Sequence, residues 1–381
     1  MQKIVYKNLV FLIIFTSFFI NNIQAAIVPA PPKINASSYL VIDYDSGRML
    51  VEENIDERVE PASLTKMMTV YIVSSELAEG NIDMNDMVMI SERAWRMTGS
   101  RMFIEVDKEV SVENLLKGVI IQSGNDASMA LAEHVSGSEE VFASVMNQYA
   151  QDLGMTGTNF VNSTGLPDEN HYTTARDMAI LANALVREHP EIYKWHSIKE
   201  YTFNEIKQHN RNQMLWRDDT VDGIKTGHTD SAGYCLVASA KRDDMRLISV
   251  VMGTDGTKAR TRATQSLLNF SFRFFVTHKL YSAGESVTSS NIWKADIKTF
   301  DLGIKNDLYV TIPRGKYKQL DASMEISPTI VAPVNKDDVQ GSLNVLLDGE
   351  ELAKRPLVAL QSVTEGSFLN RIKDDIKLLF E

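Results

Sequence analysis

The sequence contains one helix-forming segment that has no polar face. Residues 66–77, KMMTVYIVSSEL, are apolar on nearly every side, so a helix formed by them must be enclosed by other elements. Pro61 and Ser63, just before it, are residues that commonly start a helix. Lys66, in contrast, puts a cation in the first turn, where the helix dipole disfavours positive charge. The sequence therefore predicts a buried helix that begins with an unfavourable charge.

The segments around this helix show strand and helix patterns in a mixed order. A hairpin is predicted over residues 38–54, and two apolar strands flank a polar turn at residues 241–244. Helical patterns cover residues 111–122, 125–137, 174–190 and 262–275. A hairpin, then helices, then strands and a last helix predict an α+β domain over residues 26–280. In such a domain, helices pack on an antiparallel sheet that is built from both ends of the segment.

The pattern changes after residue 280. Residues 284–362 alternate apolar and polar side chains over short segments, and Asp348-Gly349 is a hairpin turn signal, so a small all-β domain is predicted here. Residues 365–381 return to a helical period with one apolar and one charged face. Such a helix either packs on the β-domain or lies on a membrane surface. Its terminal position favours an amphipathic, membrane-anchoring helix.

The first residues have the pattern of a secretory signal peptide. Two lysines precede an apolar run at residues 9–20, and small residues follow at 23–26. The run is shorter than a bilayer span of about 20 residues, so residues 1–25 are predicted to be cleaved and the protein to be exported. An uncleaved membrane anchor is the alternative. The formal net charge of −11 argues against nucleic-acid binding, and the single cysteine, Cys235, excludes an internal disulfide.

Ser63 and Lys66 are three residues apart, so on a helix their side chains are neighbours. A serine hydroxyl is a weak nucleophile and needs an adjacent base. A lysine can be that base when burial or a nearby positive helix end lowers its pKa. The unfavourable position of Lys66 is therefore the position that a base requires. For this pair alone, a surface lysine at the start of a helix is the alternative interpretation.

Two further motifs follow along the chain. Ser123 and Asn125 lie between two helical segments, and Lys225, Thr226 and Gly227 lie just before an apolar strand. A strand that carries a lysine, a hydroxyl and a glycine offers a bound carboxylate a cation, a hydrogen bond and close backbone access. The ordered set Ser-x-x-Lys, Ser-x-Asn and Lys-Thr-Gly is the signature of the penicillin-recognising serine enzymes.

The sequence resembles the low-molecular-mass penicillin-binding proteins, in particular the type-5 D-alanyl-D-alanine carboxypeptidases of the peptidase S11 type. The resemblance lies in PASLTKMMT, QSGNDA, VDGIKTGHTDSAGY and RPLVALQ, and in the terminal IKLLF. It extends over the β-domain and the tail. It implies a penicillin-recognising serine-transpeptidase-like domain, a small all-β domain and a C-terminal amphipathic helix. It further implies a protein held peripherally at the periplasmic face of the bacterial inner membrane.

The resemblance also implies an activity. Ser63 would attack the penultimate D-Ala of a peptidoglycan pentapeptide that ends in D-Ala-D-Ala, and the terminal D-Ala would leave as an acyl-enzyme forms. Lys66 would take the serine proton, and Ser123 with Lys225 would pass a proton to the leaving amine. β-Lactam antibiotics, which mimic D-Ala-D-Ala, would acylate Ser63 too. Neither a cofactor nor a metal is implied.

The resemblance assigns roles to the remaining site residues as well. The backbone N–H groups of Ser63 and His228 would form an oxyanion hole, and Asn125 would hold a substrate amide. The terminal carboxylate of the substrate would bind at Lys225, Thr226, Gly227 and Arg211. Arg260 is a weaker candidate for the same carboxylate.

Several other functions remain open at this point. The segment 162–172 is a loop by composition that can border the site; Glu169 and His171 are its titratable residues, and a solvated loop is the simpler interpretation of both. Class A β-lactamases use a glutamate in a comparable loop, but their Glu-x-x-x-Asn pattern is absent here. A β-lactamase is therefore less favoured than a carboxypeptidase. An endopeptidase with the same site and a non-catalytic peptidoglycan-binding scaffold of the same fold are further alternatives.

Overall fold

The computed structural model describes residues 28–379, which form a helix–sheet region (residues 28–274) and a β-region (residues 275–363), followed by a C-terminal helix. The predicted signal peptide, residues 1–25, lies outside the described residues. The strands of the helix–sheet region are β1 (Ser38–Asp43), β2 (Met49–Glu53), β3 (Met87–Met89), β4 (Glu109–Ser111), β5 (Glu200–Phe203), β6 (Ile206–His209), β7 (Val221–Thr229), β8 (Gly233–Arg242) and β9 (Met245–Thr254). Its helices are α1 (Lys66–Glu79), α2 (Glu92–Trp95), α3 (Val112–Lys117), α4 (Asn125–Ser136), α5 (Glu139–Asp152), α6 (Ala175–Glu188), α7 (Pro190–Tyr193) and α8 (Thr257–Phe274).

Five strands form a central antiparallel sheet in the order β2-β1-β9-β8-β7. β1 and β2 form the predicted hairpin, and β1 also pairs with β9, where Val41 lies opposite Ser249. The sheet is therefore built from both ends of the region, and the predicted α+β fold is confirmed. β7 is the last strand in this order, so among the described strands β8 is its only neighbour in the sheet.

Helices cover both faces of the sheet. Successive side chains of a strand point to opposite faces, and in β1 both sets are apolar, so each face must be covered. Leu40 and Ile42 of β1 join the apolar cluster around α1, whereas Tyr39 and Val41 join the cluster around α8. Every side chain of α1 from residue 66 to residue 75 is buried. The prediction of a buried helix without a polar face is therefore confirmed.

The β-region contains two antiparallel sheets. Its strands are β10 (Phe275–Tyr281), β11 (Ser286–Asn291), β12 (Thr299–Gly303), β13 (Leu308–Pro313), β14 (Leu320–Ile326), β15 (Val339–Leu347) and β16 (Glu350–Ala359). β10 pairs with β13, and the other five strands follow the order β11-β12-β16-β15-β14. Asp348 and Gly349 have φ values of +52° and +89° and connect β15 to β16, as their turn signal predicted. Strand pairing in this region begins at Phe275, before residue 284, where the alternating sequence pattern starts.

A polar cluster joins the two regions. The buried carboxylate of Asp43 accepts a hydrogen bond from Thr277 Oγ1 at 2.5 Å and another from Ser46 Oγ at 2.8 Å. Ser46 and Thr311 hydroxyls lie 2.6 Å apart, and Arg48 donates to the Thr311 carbonyl at 2.8 Å. These contacts link the β1–β2 hairpin to strands β10 and β13 of the β-region.

The C-terminal helix, α9 (Phe368–Leu378), turns its apolar side chains outward. Phe368 is 67% exposed and Leu369 77%, while Asp374 on the other side accepts a hydrogen bond from the Lys294 backbone. The last residue of the predicted apolar face, Phe380, lies outside the described residues. None of the helices within residues 28–379 has both the length and the apolar character that a membrane span requires.

Candidate active site

Ser63 lies in a tight 3-10 turn, Ala62–Thr65, that leads directly into α1. Ala62 has a φ of +48°, a left-handed conformation that costs an alanine about 1–2 kcal/mol. The turn is closely enclosed, since a Cβ added at Gly165 would lie 1.8 Å from the Ala62 carbonyl oxygen. The surrounding structure therefore holds the backbone of this turn in place despite its unfavourable conformation.

Lys66, the first residue of α1, is fully buried, and its amine has three close neighbours. Nζ lies 3.1 Å from Ser63 Oγ, 2.6 Å from Asn125 Oδ1 and 2.5 Å from the Thr164 carbonyl oxygen. None of these neighbours is a carboxylate. Burial, which disfavours the charged amine, lowers the pKa of Lys66 to about 7. A substantial fraction of Lys66 is therefore neutral at neutral pH and able to accept the Ser63 proton.

Ser123 follows a widened helical turn. The sequence predicted one helix to residue 122, but α3 ends at Lys117 and continues as a π-helical turn, Gly118–Gln122. Such turns are frequent at functional sites because they interrupt the regular hydrogen-bond ladder. Ser123 itself has a φ of +66°, and its Oγ accepts a hydrogen bond from Lys225 Nζ at 2.8 Å.

Asn125 begins α4 and is held at both ends of its amide. Its Oδ1 accepts from Lys66 Nζ, and its Nδ2 donates to the Thr98 carbonyl at 2.6 Å. The next residue, Asp126, accepts hydrogen bonds from the backbone N–H groups of residues 102–104. The start of α4 thus fixes both the Asn125 amide and the loop that passes over it.

Strand β7 carries the Lys-Thr-Gly motif along one side of the cleft. Lys225 is 3% exposed, and burial holds its pKa well below the ordinary value, with further lowering by the nearby positive charges of Lys66 and two arginines. A Cβ added at Gly227 would lie 3.0 Å from the Pro61 carbonyl oxygen and 3.3 Å from Ala62 Cβ. Gly227 therefore favours the close approach of β7 to the Ser63 turn, because any larger residue would push the two segments apart by a few tenths of an ångström; the sequence pattern did not reveal this.

Two arginines line the same cleft. Arg260 of α8 is 6% exposed and donates from one guanidinium nitrogen to the carbonyls of Gly227, at 2.9 Å, and Cys235, at 3.2 Å. Burial lowers its pKa to about 10, which leaves it charged at neutral pH. Arg211 donates from Nε to the Gln122 carbonyl at 3.0 Å, and burial lowers its pKa as well. Both side chains can present positive charge to an anionic ligand in the cleft.

The structure brings all nine site residues from the sequence analysis together around one cleft of about 640 Å³. Lys66 and Lys225 lie buried beside it, in contact with Ser63 and Ser123. The other predicted residues line it directly: Ser63, Ser123, Asn125, Arg211, Thr226, Gly227 and His228. The cleft thus brings together a serine beside an amine of lowered pKa, a second serine–lysine pair and two arginines, which suits acyl transfer from a donor that carries a carboxylate.

The segment 162–172 borders the cleft, as its loop composition suggested, but its contacts with Lys66 and the Ser63 turn were not predicted. Its Thr164 carbonyl contacts Lys66, and the hydroxyls of Thr69 and Ser128 hold the segment by donating to the Ser163 carbonyl. Glu169 is exposed and is not among the residues that line the cleft. His171, interpreted as part of a solvated loop, is only 2% exposed and contacts the Ser63 turn. Its position between a turn signal and α6 gave no periodic indication of burial.

Comparison with known proteins gives matches over both regions. The sequence profile of the D-alanyl-D-alanine carboxypeptidase family matches residues 25–256, and that of the penicillin-binding protein 5 C-terminal domain matches residues 275–365. D-alanyl-D-alanine carboxypeptidase DacA of Escherichia coli strain K12 is 44% identical over 362 residues, which cover 93% of this chain and 90% of DacA.

Solved structures show the same similarity. Penicillin-binding protein 5 from Haemophilus influenzae superimposes with a TM-score of 0.85 at 44% identity, covering 88% of this chain and all of that one. The ampicillin-bound form of penicillin-binding protein D2 from Listeria monocytogenes gives a TM-score of 0.59 at 29% identity, and the match covers 63% of this chain and 100% of that one.

Proposed function

The chain belongs to the D-alanyl-D-alanine carboxypeptidase family, and we propose that Ser63 is the nucleophile with which it removes the terminal D-Ala from peptidoglycan stem pentapeptides. The observation that carries this proposal is the 3.1 Å distance between Ser63 Oγ and Nζ of the fully buried Lys66. The chain is a serine hydrolase that binds penicillins, like the family to which it belongs.

In the first step, Ser63 Oγ attacks the carbonyl carbon of the penultimate D-Ala while its proton moves to the neutral amine of Lys66. The carbonyl oxygen becomes an oxyanion, which the backbone N–H groups of Ser63 and His228 stabilise. Asn125 holds a peptide amide of the substrate. The lowered pKa of Lys66 supports this role, because an ordinary lysine is protonated at neutral pH and cannot accept a proton.

In the second step, the bond between the carbonyl carbon and the leaving nitrogen breaks. The nitrogen needs a proton, and Ser123 with Lys225 passes to it the proton that Lys66 took from Ser63; the 2.8 Å hydrogen bond between the Ser123 and Lys225 side chains supports this proton transfer. D-Ala departs, and the shortened peptide remains as an ester on Ser63. A water molecule then hydrolyses the ester and regenerates the serine.

The substrate peptide is expected to bind along β7, the strand at the open edge of the central sheet. An extended peptide can add to β7, the last strand, through main-chain hydrogen bonds. The terminal carboxylate then binds at Thr226 and Gly227, beside the amine of Lys225. Arg211 and Arg260 supply further positive charge on this side of the cleft. This set of groups explains a requirement for a free carboxylate, which a carboxypeptidase needs.

The proposal is tested with a fluorescent penicillin and with diacetyl-Lys-D-Ala-D-Ala. We expect covalent label on Ser63, located by peptide mapping, and release of D-Ala from the peptide. The absence of covalent label on Ser63 would refute its proposed role as the nucleophile. Label that turns over rapidly, without D-Ala release, would indicate a β-lactamase, which the exposed position of Glu169 does not favour. Label without turnover of either compound would indicate a non-catalytic scaffold.

The C-terminal helix supports a second part of the proposal, that the exported protein is held at the periplasmic face of the inner membrane. Asp374 and Asp375 of α9 contact Lys294, and Asn370 donates to Asp296, so the polar side of the helix docks on the β-region. The apolar side chains of α9 remain exposed, which is the reverse of a helix packed in a protein core. The exposed apolar residues are Phe368, Leu369, Ile372 and Ile376 of α9, and Leu379 just after its end.

This anchor is tested by vesicle sedimentation. The protein without its signal peptide is expected to sediment with phospholipid vesicles, and deletion of residues 365–381 is expected to release it. Leu369→Asp with Ile376→Asp should have the same effect as the deletion, because both charges enter the exposed apolar side. Lys373→Ala is the control on the same helix. Continued sedimentation after the deletion would refute the anchor.

A further inference from the structure

His171 makes two hydrogen bonds whose directions can be assigned. The Val161 backbone N–H donates to Nδ1 at 3.0 Å, and Nε2 lies 2.8 Å from Thr65 Oγ1. A backbone amide can only donate, so Nδ1 must accept and cannot carry a proton. The imidazole proton is therefore on Nε2, from which it is donated to Thr65 Oγ1.

The hydrogen bonds continue through Thr65. Its hydroxyl donates to the Ala62 carbonyl at 2.8 Å, and a carbonyl can only accept. Thr65 is the residue before the first residue of α1, a position where threonine commonly caps the helix, yet its side chain makes no capping hydrogen bond. Its hydroxyl is instead part of a chain of hydrogen bonds, here called the His171 relay, which runs from the Val161 N–H through His171 and Thr65 to the Ala62 carbonyl oxygen.

The Ala62 carbonyl belongs to the same peptide unit as the Ser63 N–H. In a planar trans peptide these two groups point in opposite directions, so an anchored carbonyl also sets the direction of the N–H. Ala62 has a φ of +48°, and Gly165 packs directly on its carbonyl oxygen, so this peptide unit is held in an unfavourable conformation. If no group held the Ala62 carbonyl, the Ala62–Ser63 peptide unit could rotate toward a more favourable backbone conformation.

We propose that His171 and Thr65 are positioning residues that orient the Ser63 N–H as an oxyanion donor, by anchoring the carbonyl of the same peptide unit. This inference rests on the proposed function, in which Ser63 N–H stabilises the developing negative charge. Neither side chain touches the substrate. Their contribution is to present a preoriented donor, so that no reorientation is needed as the carbonyl oxygen becomes charged.

The environment of His171 keeps the required neutral form. Burial lowers its pKa to about 4, while Asp168 and Glu60 oppose this shift and Lys66 adds to it. At neutral pH the imidazole is therefore uncharged and has one N–H, which the relay needs. A second proton on Nδ1 would face the Val161 N–H, placing one donor against another.

The test compares variants that keep or remove each link. Thr65→Val removes the hydroxyl with little change of shape, and Thr65→Ser keeps it. His171→Leu removes both hydrogen bonds, whereas in His171→Gln the amide oxygen can accept from Val161 and the amide nitrogen can donate to Thr65. We expect Thr65→Val and His171→Leu each to lower kcat for diacetyl-Lys-D-Ala-D-Ala by about 10- to 100-fold, with KM changed by less than about threefold.

The conservative variants and the double variant separate positioning from general stability. Thr65→Ser and His171→Gln should retain kcat within about threefold of the unmodified protein. Because both residues act through one carbonyl, Thr65→Val combined with His171→Leu should lower kcat no further than the more severe single change. Equal kcat in Thr65→Val and Thr65→Ser, or losses that multiply in the double variant, would overturn the relay.

A measurement on the unmodified protein covers the case in which a variant fails to fold. In ¹⁵N-labelled protein at neutral pH, the His171 ring should show a protonated Nε2 and an unprotonated Nδ1. The opposite tautomer or a doubly protonated ring would overturn the proposal. This readout does not depend on activity. If the unmodified protein releases no D-Ala, the proposed function fails; if it does and Thr65→Val is equally active, only the relay fails.

Discussion

The two regions of the molecule differ in what they bury. In the helix–sheet region, Lys66, Asp126, Lys225 and Arg260 are all at most 6% exposed. In the described residues from 275 onward, Thr311 is the only polar side chain classed as buried, and it lies at the junction with the other region. Buried charge is costly unless it is paired. The helix–sheet region therefore buries charged side chains, at the cleft and elsewhere, whereas the described part of the β-region buries none.

The largest difference should appear when one serine is changed in each region. Ser63→Ala should lower D-Ala release and penicillin acylation at least about 10³-fold, because the nucleophile is lost. The matched change Ser323→Ala, on the exposed strand β14, should leave both rates unaltered. A Ser63→Ala variant that still forms a covalent penicillin adduct would show that the nucleophile lies elsewhere.

Removal of the buried amine should alter both rate and stability. Lys66→Met should reduce the acylation rate by about 10²–10⁴-fold, the usual contribution of a general base. Lys318→Met, in an exposed turn of the β-region, is the control. If acylation is equally fast in both variants, Lys66 does not contribute to the acylation step.

The pH dependence of stability should also differ between the unmodified protein and Lys66→Met. An unfolded lysine keeps its proton up to its ordinary pKa of 10.5, whereas folded Lys66 loses it near 7, so the unfolded state binds more protons between these values. Stability should therefore rise with pH in this window. Between about pH 7 and about pH 9, the free energy of unfolding should rise by about 2 kcal/mol more in the unmodified protein than in Lys66→Met. Denaturant titrations at both pH values measure this, and equal rises would mean that the pKa of Lys66 is not lowered.

A smaller effect is expected at the carboxylate side of the cleft. Arg260→Gln should lower kcat/KM for the peptide about 10- to 100-fold, mostly through KM, because the carboxylate is bound both before and during the reaction. Arg262→Gln, on an exposed position of α8, is the control. A loss confined to kcat would indicate that Arg260 acts on the reacting atoms instead.

The smallest effect on rate is expected from the core of the β-region. Leu357→Ala, at a fully buried position, should destabilise this region by about 2–5 kcal/mol but leave acylation at 25 °C unchanged. The matched change Leu131→Ala, in the helix that carries Asn125, should lower both stability and acylation rate. If both variants slow acylation equally, the two regions are more closely coupled than the distribution of buried charge indicates.

Local sequence signals were sufficient for elements that depend on nearby residues. The β1–β2 hairpin, the turn at Asp348 and the Thr174 cap of α6 were all predicted, because each signal lies within a few positions. α5 was not predicted, although Ser138 caps it and Phe142 and Met146 recur at helical spacing. The pairing of β1 with β9 could be expected only in outline, since it joins residues far apart in the chain.

The motifs named residues that the structure brings together around one cleft, but they did not reveal the contacts that hold these residues in place. Ser63, Ser123 and Lys225 were recognised from their order, whereas the π-helical turn before Ser123 has no distinct sequence signal. Gly227 was assigned to substrate access, and its close approach to the Ser63 turn became evident only in three dimensions. His171 was placed in a solvated loop because a single polar residue carries no periodic pattern of burial.

The pH dependence of acylation tests whether buried Lys66 is the base that deprotonates Ser63. The second-order rate constant for acylation by a penicillin is measured from about pH 5 to about pH 10. We expect the rate to rise with pH and to level off with an apparent pKa of about 7, because only the deprotonated amine can take the Ser63 proton. A rate that is constant across this range, or that keeps rising toward the ordinary lysine pKa of 10.5, would show that Lys66 is not the base.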